Sequence, residues 1–360
     1  MRDILEDSIR RLLSEQVTPE LMRDAESGQW PSALWALLEQ GGFTQALMSE
    51  QAGGSGIDWA DVYPVVAAAG EHALPLPLGE TMLAAWLLDR AGVPVPEGPL
   101  GIADPGLGAV PVARAEAGRW RIDGRVAQVP WGRAVGHLVL AVGVDGAPHL
   151  ALVPCRGLPW VHDCNLAREP RDSLALENVE AAAVVPWPGD GAGSLGLRQH
   201  GAMLRSAQMA GAVTRMLQQS AQYATERKQF GRAIGDFQAI QQQLAVLACH
   251  AAAGQAGAAF AFEQAGQPGA ALAVASAKAL SGHAAGEASG IAHATHGAIG
   301  FTYEHTLHFA TRRLWSWRSE FGHHGWWSMR IGQAVRRGDA PFWHMVTEGT
   351  FELASTWEAA

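Results

Sequence analysis

The chain has 360 residues, of which 48% are hydrophobic, so it is long enough for roughly two or three domains and a large core. Its 26 basic and 35 acidic residues give a formal charge of −9. A mildly acidic chain without a basic cluster argues against nucleic acid as a partner. The high hydrophobic content excludes intrinsic disorder over most of the chain.

The cysteines and the N-terminus indicate the compartment. Cys155, Cys164 and Cys249 form no Cys-x-x-Cys pair, and their odd number argues against a secreted disulfide framework. The first seven residues carry acidic side chains and do not resemble a signal peptide. No uninterrupted apolar run approaches the ~20 residues that span a membrane. We therefore expect a protein of the reducing cytoplasm with no membrane partner.

Residues 1–99 are predicted to form an N-terminal helical domain. Apolar residues recur at helical spacing over 4–13, with charged residues between them. Further helices are predicted around Trp35, over 61–69 and over 80–91. Glycine and proline clusters separate these segments.

Residues 100–190 change to strand-like patterns, which predict a middle β domain. Residues 120–126 alternate apolar and polar side chains around Gly124, where we expect a turn. Residues 137–142 and 149–154 predict two strands that are joined by a tight Asp-Gly turn.

Residues 191–340 return to helical patterns and predict a C-terminal bundle of four helices. Two alanine-rich stretches, 248–262 and 270–285, favour closely packed helices over low complexity, because alanine is the best helix former and larger apolar residues interrupt the runs. The tail, 341–360, carries four large aromatic residues. We expect this tail to dock on a partner or on its own bundle, since loose aromatic surface is unfavourable.

The most informative segment is 223–245. A helical run ends near Arg227, and another begins near Asp236, which can act as its N-cap. The short connection contains Gly231 and Gly235, which we expect to be its two flexible points.

This segment resembles the helix–loop–helix signature of the acyl-CoA dehydrogenase family, which reads roughly Arg-x-x-Phe-Gly followed by Phe-Gln-x-x-Gln. In that family, the arginine and the phenylalanine reach across a subunit interface to the diphosphate and ring of an FAD held by the neighbour. A guanidinium matches a pyrophosphate in charge and geometry. The resemblance implies FAD as the cofactor and these residues as its contacts: Arg227, Gln229, Phe230, Gly231, Phe237 and Gln238. Alone, Arg227 would be better explained as a cation that complements the dipole of its own helix.

The order of segments also resembles the family architecture over about residues 1–335. It implies an α+β acyl-CoA dehydrogenase fold, with an N-terminal helical domain, a middle β domain and a C-terminal four-helix bundle. The implied reaction introduces an α,β double bond into an acyl-CoA thioester: a glutamate removes the α proton and a hydride passes to the flavin. The resemblance implies an electron-transfer flavoprotein as the electron acceptor.

The two positions where the family carries its catalytic glutamate hold residues that cannot accept a proton. Counting forward from the Gly-Ala-Ile-Gly motif at 297–300, the commoner position falls on Phe321. Counting back from Arg227, the second position falls on Gly201. The nearby Arg205 is expected to face elsewhere on its helix.

Glu320 lies one residue from the commoner base position and is the candidate catalytic residue of this chain. A solvated carboxylate, or a partner of Arg313 or Arg318, is the simpler interpretation of Glu320. The sequence alone leaves both interpretations open.

The other flavin contacts are retained only in part. Gly297 and Ala298 stand in a motif that holds the adenine half of FAD in the family, but Ala294 replaces its glutamine. Trp131 stands near the family's flavin wall; it could stack on the ring, but a place in the β core is slightly favoured. The histidines lack the second carboxylate helix of a bundle metal site, so no metal is predicted.

Retained flavin contacts without a base resemble a subgroup of the family whose members are mixed tetramers of two unlike subunits, acting on steroid side chains or dicarboxylic acyl-CoAs. The resemblance implies a second acyl-CoA dehydrogenase-like subunit that supplies the glutamate to an α2β2 complex. Three alternatives stay open: a self-sufficient homo-oligomer that uses Glu320, a flavin-dependent monooxygenase, and a scaffold without flavin.

Overall fold

The structure is a computed structural model that describes residues 2–106, 108–189, 193–338 and 342–348. The helices in this part of the chain are α1 (Arg2–Gln16), α2 (Pro19–Glu26), α3 (Ser32–Gln40), α4 (Trp59–Glu71), α5 (Leu78–Arg90), α6 (Gly193–Glu226), α7 (Gln238–Glu263), α8 (Ala270–His296), α9 (Leu307–Trp317), α10 (His324–Arg337) and α11 (Phe342–Glu348). The strands are β1 (Leu100–Ala103), β2 (Val112–Glu116), β3 (Arg119–Pro130), β4 (His137–Val144), β5 (Ala147–Pro154), β6 (Arg171–Ala181), β7 (Ala183–Pro186), β8 (Lys228–Gln229) and β9 (Arg232–Ala233).

One of two compact units comprises residues 20–58 and 75–201 and is organised around a seven-stranded sheet. The strand order is β6-β3-β2-β4-β5-β7, and β1 pairs in parallel with β4. Strand β4 is buried on both faces over residues 138–142, whereas β6 has buried side chains such as Leu174 and Leu176 next to exposed ones. This unit contains the predicted middle β domain.

Strand β3 corrects one prediction, because residues 120–126 form a continuous strand and not a turn. Gly124 has a φ of +144° and lies at a shift in the register between β3 and β6. A Cβ atom at Gly124 would lie 2.9 Å from Cα of Pro111. The glycine therefore accommodates a bulge and a close neighbour. The β4–β5 hairpin is confirmed, and Asp145 and Gly146 form its turn at positive φ.

The second compact unit comprises residues 1–19, 59–74 and 202–360, and its described part consists mainly of long helices. Four helices, α6 to α9, contribute to its core. Buried members of this core include Met209, Val213, Leu247, Ala288, Leu307, Leu314 and Trp317. The predicted alanine-rich helices are confirmed as parts of α7 and α8.

Helices α4 and α6 approach each other through two glycines. A Cβ atom at Gly70 would lie 1.9 Å from the carbonyl oxygen of Gln208, and one at Gly211 would lie 1.9 Å from that of Ala67. No other residue type fits this crossing without a shift of a helix. The division of the chain into these two compact units differs from the predicted division into domains. The predicted domain boundaries stay a prediction.

Helix α7 is long and apolar enough to cross a membrane by length and composition, and 28% of that stretch is buried within the chain. Its exposed side chains include Val246 and Phe260, which are 48% and 53% exposed. One helix of this kind is weak evidence for a membrane span, because helices in protein cores can have the same length and composition. Of the predicted aromatic tail, Phe351 and Trp357 lie outside the described residues, and docking of the tail stays a prediction.

Candidate functional site

The segment between α6 and α7 forms a tight β-hairpin. Strands β8 and β9 pair with each other, and the turn residues Phe230 and Gly231 have φ angles of +52° and +81°. Two successive left-handed residues are the geometry of a two-residue hairpin turn. The prediction of Gly235 as the second flexible point is therefore wrong. Gly235 is a close-approach position instead, because a Cβ atom there would lie 3.1 Å from the carbonyl oxygen of Ala224.

The start of α7 also differs from the prediction. Ile234–Asp236 form a 3₁₀ turn, so Asp236 is not the N-cap. Phe237 occupies that position in an extended conformation and makes no side-chain cap. Its carbonyl oxygen accepts hydrogen bonds from the backbone N–H groups of Ile240 and Gln241, at 3.0 and 3.1 Å. The 3₁₀ turn thus sets the position of Phe237 beside the hairpin.

The hairpin forms one wall of a pocket of about 400 Å³, and the C-terminal end of α8 forms another. Six of the residues predicted to bind the cofactor line this pocket: Arg227, Gln229, Phe230, Phe237, Gly297 and Ala298. Gly231 and Gln238 belong to the same hairpin and helix start but do not line the pocket. The structure therefore brings together residues that are about 70 positions apart in the chain.

Arg227 carries an uncompensated charge at the pocket wall. Within the part of the chain that the structure describes, its exposed guanidinium has no ion pair and no hydrogen bond. Its backbone is fixed, because its N–H donates to the carbonyl of Tyr223 at 2.9 Å and its carbonyl accepts from the N–H of Ile234 at 2.8 Å. An arginine on a fixed backbone with a free side chain suits a phosphate ligand.

Two aromatic rings lie beside this arginine. Phe230 is 91% exposed, and its ring meets Phe237 edge-on at a centroid distance of 6.1 Å. The guanidinium of Arg232 lies 4.1 Å from the Phe237 ring centroid, which fixes one face of that ring by a cation–π contact. So large an exposed aromatic surface is expected to be covered by a ligand or another subunit.

A buried histidine adjoins the pocket. His296 is 3% exposed and stacks on Tyr223 at 4.6 Å. Its Nδ1 lies 2.8 Å from the carbonyl oxygen of Ala292, and its Nε2 has no partner among the described residues. Burial lowers the pKa of His296, so the ring is neutral at pH 7, Nδ1 carries the proton, and Nε2 is a hydrogen-bond acceptor. The sequence interpretation considered this histidine only as a metal ligand and missed its place beside the pocket.

Glu320 forms a largely buried ion pair with Arg205, contrary to its interpretation as a solvated carboxylate. Its Oε2 accepts a hydrogen bond from Nε of Arg205 at 2.7 Å. The two side chains are only 15% and 2% exposed. The expectation that Arg205 faces elsewhere was also wrong, since sequence alone does not fix which helix face meets a loop 115 residues away.

Arg205 is itself held in place. Its Nη1 donates to the side-chain oxygen of Gln208 at 2.6 Å, and its guanidinium lies 5.4 Å from the ring centroid of Phe321. If Glu320 took up a proton, the charge-assisted contact with Arg205 would be weakened. This arrangement is unfavourable for a general base.

Lys278 is a second buried cation near the ion pair of Arg205 and Glu320. This fully buried residue of α8 donates to the backbone carbonyls of Trp317, Arg318 and Gly322 at 3.2, 2.9 and 3.0 Å. Burial lowers the pKa of Lys278 to about 7, and the charge of Glu320 opposes that shift. Sequence reasoning missed Lys278, although a single lysine within an alanine-rich helix was a usable signal.

Trp131 belongs to the core of the sheet-containing unit. It is 8% exposed, and its ring meets Trp30 edge-on at 6.3 Å. Its backbone has a left-handed φ of +59°, and its N–H donates to the carbonyl of Pro170 at 3.0 Å. This is the packing position that the sequence slightly favoured. A contact between Trp131 and flavin stays a prediction.

Comparison with known proteins identifies the family. Family models match the chain as acyl-CoA dehydrogenase, N-terminal domain, over residues 2–94, and as acyl-CoA dehydrogenase, C-terminal domain, over residues 196–322. The acyl-CoA dehydrogenase IpdE2 of Mycobacterium tuberculosis is 30% identical over 316 residues, which cover 87% of this chain and 90% of that protein. The chain belongs to the acyl-CoA dehydrogenase family.

Solved structures agree with the predicted acyl-CoA dehydrogenase fold. The ChsE4-ChsE5 complex from Mycobacterium tuberculosis is similar, with a TM-score of 0.87 and 23% identity over 94% of this chain and 98% of that chain. A variant of the steroid ACAD Tcur3481-Tcur3483 has a TM-score of 0.84 and 24% identity over 94% of this chain and 99% of that chain. Together with the family match, these comparisons confirm the fold class.

The acyl-CoA dehydrogenase family comprises FAD-dependent oxidoreductases, and the pocket has groups that fit FAD. The unpaired guanidinium of Arg227 suits the diphosphate, and the rings of Phe230 and Phe237 suit a flat aromatic ligand. The buried acceptor on His296 would satisfy an amino group. Among the described residues, no three histidine, cysteine or carboxylate side chains are placed to hold a metal ion.

Proposed function

We propose that this chain is a subunit of an FAD-dependent acyl-CoA dehydrogenase that introduces an α,β double bond into an acyl-CoA thioester. We infer that it is the subunit without the usual catalytic glutamate in an α2β2 complex. One observation supports the proposal: Glu320, the residue next to the base position that the sequence count assigns to Phe321, is engaged by Arg205. A partner subunit would then supply the base.

The contribution of this chain to the shared site is cofactor binding. Arg227 would neutralise the diphosphate of FAD, Phe230 would cover its ring system, and Gly297 with Ala298 would admit the adenine half. When bound, the cofactor supplies a hydride acceptor. The open pocket and the exposed Phe230 support a site that is completed by another subunit.

The relatives support a class of substrate and a mode of assembly. The ChsE4-ChsE5 structure contains two named proteins, and the Tcur3481-Tcur3483 relative is a steroid ACAD. We therefore propose a bulky acyl-CoA, such as a steroid side-chain thioester, as the substrate. The exposed apolar surface of α7 supports close packing against another subunit. We also propose that the electron acceptor is an electron-transfer flavoprotein and that the protein acts in the cytoplasm.

Glu320→Gln in the complex with the neighbouring gene product tests the proposal, because this change keeps the side-chain size and removes its basicity. We expect turnover of acyl-CoA to change by a few-fold at most. A fall of ~10²–10⁴-fold, the usual effect of losing a general base, with assembly and FAD content intact, would make Glu320 the base. The chain would then be a self-sufficient enzyme, which is the alternative that the position of Glu320 next to Phe321 favours.

A further inference from the structure

We propose that Lys278 is a positioning residue that fixes the loop 318–323 and, through this loop, holds Glu320 in its ion pair with Arg205. The inference rests on the proposed function, because that loop contains the position where the family carries its base. Lys278 would thereby keep the only carboxylate of the loop away from proton transfer.

The first support is the convergence of three backbone acceptors on one ammonium group. Helix α9 ends at Trp317, so the carbonyls of its last turn lack partners within the helix. Nζ of Lys278 lies 2.9–3.2 Å from the carbonyl oxygens of Trp317, Arg318 and Gly322. An ammonium has three N–H donors, and all three are used here. A cation at this end also complements the dipole of α9.

The second support is the conformation that the loop must maintain. Phe321 and Gly322 have φ angles of +52° and +93°, and a left-handed phenylalanine is strained. The buried Trp327 of α10 donates from its indole Nε1 to the carbonyl of Phe321 at 3.0 Å. Lys278 therefore holds the loop from α8, while Trp327 holds it from α10.

The third support is a backbone carbonyl that accepts hydrogen bonds from both Glu320 and Lys278. The backbone N–H of Glu320 donates to the carbonyl of Trp317 at 3.2 Å, and that same carbonyl accepts from Lys278. Release of this carbonyl by Lys278 would loosen the turn that aims Glu320 at Arg205. Removal of the ammonium would also take a donor from the partly buried carbonyls of Arg318 and Gly322, which is costly.

The test uses hydrogen exchange of the full chain in the complex with its partner subunit. We expect Lys278→Met to speed exchange of the amides in 318–327 by about tenfold or more, with α7 unchanged. Ser281→Ala is the matched control: Ser281 is buried on the same helix, but its hydroxyl donates only to the carbonyl of Ala277, at 2.8 Å. Equal exchange in Lys278→Met and Ser281→Ala would overturn the proposal.

A double-mutant cycle separates positioning from a general loss of stability. If Lys278 acts through the loop, the effect of Glu320→Gln on the urea midpoint should shrink by at least half in the Lys278→Met background. In the Ser281→Ala background, the effect of Glu320→Gln should be unchanged. Additive effects would overturn the proposal. Lys278→Gln, which keeps a donor, replaces Lys278→Met if the methionine variant does not fold, and the same outcomes apply.

The activity of Glu320→Gln is a separate readout. A large loss of turnover would remove the proposed function of the chain but would leave the exchange result on Lys278 standing. Unchanged turnover in Glu320→Gln together with unchanged exchange in Lys278→Met would contradict the role of Lys278 and leave the proposed function standing. The two failures are therefore distinguishable.

Discussion

At the scale of single residues, Arg227 is the side chain on which the cofactor assignment depends most. The motif predicted it from sequence, and the structure places it at the wall of the pocket, where its side chain has no partner among the residues that the structure describes. Glu320 and Lys278 show the limit of such prediction. Their partners lie 115 and 39–44 residues away, and a pattern in one segment does not specify contacts with another.

Arg227→Ala should weaken FAD binding in the assembled complex. Loss of a charge-assisted contact to the diphosphate costs about 1.5–3 kcal/mol, which corresponds to roughly a 10–150-fold rise in Kd. The measurement is the FAD content after gel filtration, together with a flavin fluorescence titration. Lys228→Ala is the control, because Lys228 is exposed on the same hairpin but does not line the pocket. Equal FAD retention in both variants would show that Arg227 does not contact the cofactor.

The buried Lys278 predicts a pH dependence of stability. Its pKa is about 7 in the folded chain, below the ordinary lysine value of 10.5, so the unfolded chain binds the proton more tightly. The contribution of Lys278 to the free energy of unfolding should therefore rise between about pH 7 and pH 10, where the folded side chain is a neutral amine that keeps two of its three N–H donors. Urea unfolding should show that the wild-type chain gains stability relative to Lys278→Met from pH 7 to pH 9.5. A level or falling difference would contradict the lowered pKa.

At the scale of elements, regular segments were predictable and irregular ones were not. Alanine-rich helices and the Asp145-Gly146 hairpin have strong local signals, and the structure contains them. The turn at Gly231 was predicted, but the left-handed Phe230 was not, because a phenylalanine at positive φ is unfavourable on its own and depends on the strand pairing around it. Gly124 was misread for the converse reason, since a glycine within a strand can mark a bulge as well as a turn.

The crossing of α4 and α6 gives a prediction at this scale. Gly211→Ala places a Cβ atom 1.9 Å from the carbonyl oxygen of Ala67, so the helices must separate. We expect a loss of about 1–3 kcal/mol in the free energy of unfolding, as for other overpacked cores. Gly290→Ala is the matched control on α8, where a Cβ atom meets nothing within 4 Å. The control should gain up to about 1 kcal/mol, because alanine favours a helix over glycine.

Urea unfolding of these two variants tests how closely α4 and α6 cross. Opposite shifts of the midpoint are expected for Gly211→Ala and Gly290→Ala. A neutral Gly211→Ala would mean that α4 and α6 do not cross as closely as the structure has them.

At the scale of the whole molecule, the fold followed from the sequence more completely than the site did. The order of helical, β and helical segments predicted the acyl-CoA dehydrogenase fold, and the family and structural comparisons confirm it. The pocket was predictable because one motif contains most of its wall. The contacts among Arg205, Lys278 and Glu320 were not predictable, because these residues come from α6, α8 and the loop after α9, which meet only through packing.

The most direct test of the account is turnover by this chain alone and with the product of the neighbouring gene. Both preparations receive saturating FAD, the same acyl-CoA and an artificial electron acceptor. We predict no dehydrogenation by the chain alone and turnover by the complex, since the proposed function assigns the base to the partner. Turnover by the isolated chain at the rate of the complex would contradict the account.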